Sequence, residues 1–220
     1  MHQILVYGDS LTWGIIPNTR DRLSFEERWP GALEGLLVAA GCSARVIEDC
    51  LNGRRTAWDD PYKPGRNGLR GLEQAVEINS PLALVILMLG TNDFQSMHDH
   101  NAWHSAQGIS ALVRAVRRAP IEPGMPLPRI LIVAPPPIQK PKGPIAPKFE
   151  GAATKCIGLA RAYAEVAAEL ECAFFDAGQV TPTSVVDGVH LDANQHSLLA
   201  RTLLEEVVSL LDAERETTAS

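Results

Sequence analysis

The chain has 220 residues, 45% hydrophobic and 21% charged, with a formal net charge of −6 at pH 7. That length buries one sizeable core and fits a single α/β domain, and the composition is that of a soluble globular protein. The negative, interspersed charge argues against nucleic acid or acidic membrane as the main partner, and no apolar run nears the roughly 20 residues that span a bilayer.

Residues 4–7 form a short apolar run of β-favouring types, the pattern of a strand buried on both faces. With a strand this close to the start, no secretory signal is expected ahead of it. The run breaks at Gly8-Asp9-Ser10, where glycine permits a tight turn and the two polar side chains can bond nearby amides. Ligands bind beyond the carboxyl ends of strands in parallel α/β sheets, which puts Ser10 where chemistry happens; a strand-ending turn accounts for the same residues.

Residues 15–27 read as a polar loop. Residues 29–40 have helical spacing, with Pro30 in the first turn and Gly41 as the stop. A second strand is expected at 44–51, then a long polar loop holding Gly53, then a helix over 69–78. Residues 82–89 are the most apolar run and are expected to be the central strand, ending in Gly90-Thr91-Asn92-Asp93. A helix over 102–118 carries its arginines late, which suits the helix dipole. Strand four spans 130–134 and stops at three prolines. The following segment to Pro147 is a surface loop that either walls a site or covers nothing. A long helix over 152–170, a strand at 173–176 and a last helix from about 193 to 211 complete the pattern, with 212–220 as a polar tail. Five alternations of strand and helix without a composition break predict one doubly wound parallel sheet with right-handed crossovers, a single domain over 1–211.

The four cysteines, Cys42, Cys50, Cys156 and Cys172, lack Cys-x-x-Cys spacing. Free thiols in a reducing cytoplasm are the expectation, with a disulfide or metal as the alternative. His98, His100 and His104 fall within seven residues, but without Cys or His-Glu-x-x-His spacing no metal site is expected. His2 and His196 read as surface or helix residues. Asp187-Gly188-Val189-His190 lies just before the last helix. Asp-x-x-His across a turn can set a carboxylate beside imidazole Nδ1 and leave Nε2 free to face a serine, as acyl transfer requires.

Together these residues resemble the SGNH (GDSL-type) hydrolases. Gly8-Asp9-Ser10-Leu11 matches the first family block, Gly53 the second, Gly90-Thr91-Asn92-Asp93 the third and Asp187-Gly188-Val189-His190 the fifth. The closest similarity is to the bacterial arylesterase and acyltransferase branch, through Gly8–Gly14, Met88–Asp93 and Phe174–Gly178. The resemblance implies a flavodoxin-like sheet of order 2-1-3-4-5, no cofactor, and a small-molecule ester as substrate. It implies Ser10 as nucleophile, His190 as general base and acid, and Asp187 as the group that orients the imidazole. The oxyanion donors it implies are the Ser10 and Gly53 amides and the Asn92 side chain, although Asn92 also reads as a turn cap and Gly53 as a turn glycine. It also implies homo-oligomers, octamers in that branch.

Trp13 stands close enough to Ser10 to line the acyl pocket, or else packs the sheet edge. Asp9 reads as an acceptor for turn amides. Three rivals compete. A haloacid-dehalogenase-type phosphotransferase would use Asp9 but needs a second Asp where Leu11 stands. A Gly-x-Ser-x-Gly elbow and nucleotide-binding glycine loops are absent. A carbohydrate O-deacetylase satisfies the same machinery, and a non-catalytic binding module satisfies the same fold.

Overall fold

Strand β1 (His2–Gly8) is the hinge of the architecture: it pairs in parallel with β2 (Ala44–Cys50) on one side and β3 (Leu84–Met88) on the other. β4 (Arg129–Ala134) and β5 (Ala173–Asp176) extend the sheet beyond β3, giving the order β2-β1-β3-β4-β5 with every pair parallel. The helices are α1 (Ser10–Trp13), α2 (Trp29–Ala39), α3 (Leu72–Asn79), α4 (Ala102–Arg118), α5 (Ala152–Lys155), α6 (Leu159–Glu169) and α7 (Ala193–Thr218). This computed structural model describes the backbone of residues 1–218 and the side chains through Asp212.

Side chains alternate across the sheet with the period of two that a strand imposes. Ile4, Val6, Leu84, Ile86, Leu131 and Val133 enter the core roofed by α2 and α7. Leu5, Tyr7, Val85, Leu87, Ile130 and Ile132 enter the core on the other face, under α3, α4 and α6. Every residue of β3 is buried, which is why that strand is apolar throughout rather than alternating. Truncating a leucine such as Leu87 to alanine would cost about 2–5 kcal/mol.

Register brings the site together. Gly8 at the end of β1 stands opposite both Cys50 at the end of β2 and Met88 at the end of β3. The three polar breaks that follow those strands therefore emerge side by side.

The structure departs from the sequence reading in four places. The helix expected over 152–170 is two, α5 and α6, because Gly158 takes φ +84° and resets the chain before Leu159. The helix expected from residue 69 starts at Leu72, after a turn in which the Asn67 side chain accepts from the Leu69 amide and Gly71 takes φ +91°. The loop before Pro147 contains a 3-10 turn, Gly143–Phe149. The last helix continues past 211 to Thr218, so 212–218 are helical backbone rather than a frayed tail, and 219–220 lie outside the described residues.

Candidate active site

Ser10 opens α1, two residues beyond the end of β1. Asp9 caps that short helix by accepting the Leu11 amide at 2.9 Å, the ordinary use of an Asp at an N-cap. The Ser10 hydroxyl lies 3.2 Å from His190 Nε2, and His190 Nδ1 lies 2.6 Å from Asp187 Oδ2. The other oxygen, Asp187 Oδ1, accepts the Val189 and His190 amides, each at 2.9 Å. Asp187, Ser10 and His190 are 1%, 7% and 5% exposed, so the array is shielded from water along its length. Burial pushes the Asp187 carboxyl upward, but the hydrogen bond and charge of His190 and the two amides outweigh it and hold the group below its ordinary value. The acid stays ionised, and the imidazole is held as the Nδ1–H tautomer with Nε2 free to accept the serine proton.

Gly53 occupies the third place of a turn closed by the Arg54 amide on the Leu51 carbonyl at 2.9 Å, with φ +86°. That conformation admits glycine and strains any other residue. Asn92 lies in a 3-10 turn after Gly90. Gly90 itself takes φ +125°, and a Cβ there would come 2.5 Å from the Tyr163 hydroxyl. Asn92 Nδ2 donates to Asp9 Oδ2 at 2.8 Å and to the Arg54 carbonyl at 3.1 Å. Both amide hydrogens are thus engaged in the free site, and Asp9 acts as a structural acceptor. Burial pushes the Asp9 carboxyl up to about 6, against the pull of the Leu11 amide, the His190 charge and the Asn92 amide.

Residues that the sequence did not single out hold these groups in place. Gln95 Nε2 donates to Asn92 Oδ1 at 2.6 Å, and Gln95 Oε1 accepts from Arg55 Nη2 at 2.5 Å. Arg55 and Gln95 are fully buried, and Arg55 is neutralised by Asp60 at 2.9 Å. A flipped Asn92 amide would set donor against donor at Gln95 and oxygen against oxygen at Asp9. The network therefore fixes the orientation of the Asn92 amide. Arg54 bridges the strand ends: its guanidinium donates to the Gly8 and Asp49 carbonyls at 3.1 and 2.5 Å and lies over the Tyr7 ring.

A cleft of about 490 Å³ opens against Asp187 and His190, walled by Ile15, Arg20, Pro144, Ile145 and Lys148. The segment before Pro147 is thus a site wall. Trp13, read as lining the acyl pocket or packing the sheet edge, does not line this cleft. It is half-buried, with the Arg22 guanidinium 4.7 Å from its ring centroid and Arg22 Nε donating to its carbonyl at 2.8 Å. His196 is a helix residue as expected but not a surface one: it is fully buried in α7, where Nδ1 accepts the Trp29 amide at 3.2 Å. His100 stacks between His98 and His104, with Trp58 tilted against His100 and edge-on to His104, and His98 Nε2 accepts from Arg55 Nε at 2.8 Å. Among the described residues, no group of three or more His, Cys, Asp or Glu is placed to hold a metal ion.

A doubly wound parallel sheet bearing a buried serine, histidine and aspartate beyond its strand ends defines a serine hydrolase. The chain belongs to the GDSL-like Lipase/Acylhydrolase family, which its sequence matches over residues 6–198, and it is a carboxylic ester hydrolase. Solved structures agree. An inhibitor-bound aryl esterase of M. smegmatis is 37% identical, with a TM-score of 0.91 over 96% of this chain and 100% of that one. A carbohydrate acetylesterase family member from Sinorhizobium meliloti is 39% identical, with a TM-score of 0.90 over the same shares of the two chains, 96% and 100%. A second carbohydrate acetylesterase from Sinorhizobium meliloti, 34% identical, also superposes with a TM-score of 0.90 over 96% and 100% of the two chains. Comparison with curated proteins found no significant match.

Proposed function

We propose that Ser10 is the nucleophile, His190 the base and acid, and Asp187 the orienting carboxylate of a short-chain esterase. The observation that carries this reading is the unbroken line from Ser10 Oγ through His190 to Asp187, with contacts of 3.2 and 2.6 Å. Ser10 Oγ bonds to the ester carbonyl carbon while its proton passes to His190 Nε2. The carbonyl electrons move onto oxygen, where the Ser10 and Gly53 amides and Asn92 Nδ2 receive the charge. An oxyanion competes for Nδ2 with the neutral Arg54 carbonyl at 3.1 Å, and a charged acceptor wins that exchange. The carbon–alkoxy bond then breaks, and the departing alcohol takes the proton from Nε2. Water, deprotonated at the same nitrogen, releases the acid and restores Ser10.

Acetyl-type esters suit this site best, since two similar proteins are named carbohydrate acetylesterases. Those names also favour a second reading, O-deacetylation of a sugar. A serine 7% exposed keeps water scarce around the acyl-enzyme, so an alcohol competes with water and acyl transfer accompanies hydrolysis. Assembly as a homo-oligomer is supported by Tyr62, Trp103, Ile157 and Val185, which are all exposed; such apolar groups suit a subunit contact. A cytoplasmic setting is supported by cysteine spacing. No helix among the described residues is long and apolar enough to cross a membrane.

The test is an ester panel of increasing acyl length, with vinyl acetate and benzyl alcohol supplied together in buffer. Acetyl esters are expected to exceed octanoyl esters by about tenfold to a hundredfold in kcat/KM, the cost of overpacking a rigid pocket. Benzyl acetate is expected beside acetate. A flat chain-length profile with acetate alone would mean an open, wet site.

A further inference from the structure

The cleft beside His190 has a charge that the ester chemistry does not require. Two of its walls carry cations, Arg20 from the loop after α1 and Lys148 from the 3-10 turn Gly143–Phe149. Neither makes an ion pair among the described residues, and both remain reached by solvent. Other arginines close to the site do not share that condition. Arg22 and Arg28 pair with Glu48, Arg54 with Asp49 and Arg55 with Asp60. Among the described residues lining the cleft, the one carboxylate is Asp187, and its oxygens are taken by His190 and two amides. Burial pushes the Lys148 ammonium below its ordinary value, and Arg55, Lys63 and Arg20 push the same way against Asp60 alone. A positive corner left unanswered in a chain of net charge −6 is a place for an anion.

The side of the ester that reaches this corner follows from the reaction. Nε2 of His190 hands its proton to the departing alcohol, so the alcohol portion must lie against the imidazole edge. The cleft is walled by that imidazole, while Gly53 and Asn92 are not in its lining. Its occupant is therefore the alcohol, not the acyl group.

Resting on the esterase reading above, we infer that the preferred substrate is an ester whose alcohol portion bears an anionic group, a carboxylate or a phosphate, seated between Arg20 and Lys148. The neutral acyl group is cut from an acidic alcohol, such as an acetylated sugar acid or acetylated hydroxy-aryl acid. Solvent screening keeps the preference moderate, because exposed charge pairs contribute less than buried ones.

The test compares 4-acetoxybenzoate with the neutral 4-acetoxybenzamide, which share a leaving-group geometry, and with monophenyl succinate, which moves the carboxylate to the acyl side. The ratio of kcat/KM for the first to the second is measured in the native enzyme, in Arg20→Gln, Lys148→Gln and the double variant, and in Arg20→Lys. Each single substitution is expected to lower the ratio by about threefold to fivefold and the double variant by about tenfold, with Arg20→Lys retaining most of it. Raising salt from roughly 20 mM to roughly 500 mM should narrow the native ratio toward that of the double variant. A ratio that neither the substitutions nor salt alter would overturn the inference and leave the esterase reading standing. So would monophenyl succinate emerging as the anion whose preference the substitutions abolish. Failure to release acetate or phenol from any of the three would overturn the esterase reading, and the inference with it.

Discussion

The chemistry depends on a few atoms held by groups that do not react. Asp187→Asn keeps the shape of the array but loses the charge and the tautomer control at His190, and is expected to lower kcat by about 10²–10⁴. Gln95 acts through Asn92. Gln95→Glu preserves an acceptor for Arg55, 2.5 Å away, but removes the donor to Asn92 Oδ1. The Asn92 amide is then free to flip, exchanging its nitrogen and oxygen. Because an oxyanion donor acts in the transition state, kcat should fall about tenfold to a hundredfold with KM little changed. A rise in KM at constant kcat would instead mean that Gln95 serves substrate binding. Ser10, Asp187 and His190, which the structure brings together, were named in advance from the Asp-x-x-His spacing and the family blocks, and Gly53 and Asn92 were named as candidates from the blocks alone. Gln95 and Arg55 were not, because nothing local ties a glutamine at 95 to an arginine at 55 until β1 pairs with β2 on one side and β3 on the other. Trp13 was named for its nearness in sequence to Ser10; the fold sets its ring against Arg22, a contact no local pattern announced.

Among the elements, strands were the easiest to read, since runs of buried apolar residues and abrupt polar stops are local signals. The break between α5 and α6 was missed because helical spacing persists across Gly158, whose φ of +84° is set by the fold. Helix α7 hid a second surprise. His196 joins it to the start of α2, and burial, then the charges of Arg28 and His190, push the imidazole down to about 3 from 6.5. The folded protein therefore resists binding a proton that the unfolded chain accepts. This contribution is fully present above the unfolded value of 6.5 and is lost progressively as pH falls toward about 3. In that window stability is expected to decline by about 1.4 kcal/mol per pH unit through this group. His196→Gln leaves an acceptor for the Trp29 amide without the titration. Urea unfolding from pH 6.5 downward should show a shallower decline for the variant; parallel declines would assign acid sensitivity to other groups.

At the scale of the whole molecule, the order β2-β1-β3-β4-β5 makes the site possible by placing three strand ends together. Loops from distant parts of the chain then complete it, Arg20 from one and Lys148 from another. That pairing is long-range and was invisible in the sequence. If exposed Tyr62, Trp103, Ile157 and Val185 lie in subunit contacts, light scattering should give a constant oligomer mass over a hundredfold dilution, and a monomer mass throughout would refute the assembly.

The central claim is that Ser10 forms the covalent acyl-enzyme, and a phosphonate that mimics the tetrahedral intermediate tests it most directly. After treatment, digestion and mass spectrometry should place one adduct on Ser10. The Ser10→Ala protein should take up none and retain no more than about 10⁻⁴ of native kcat. An adduct on a different serine, or near-native turnover by Ser10→Ala, would contradict the assignment.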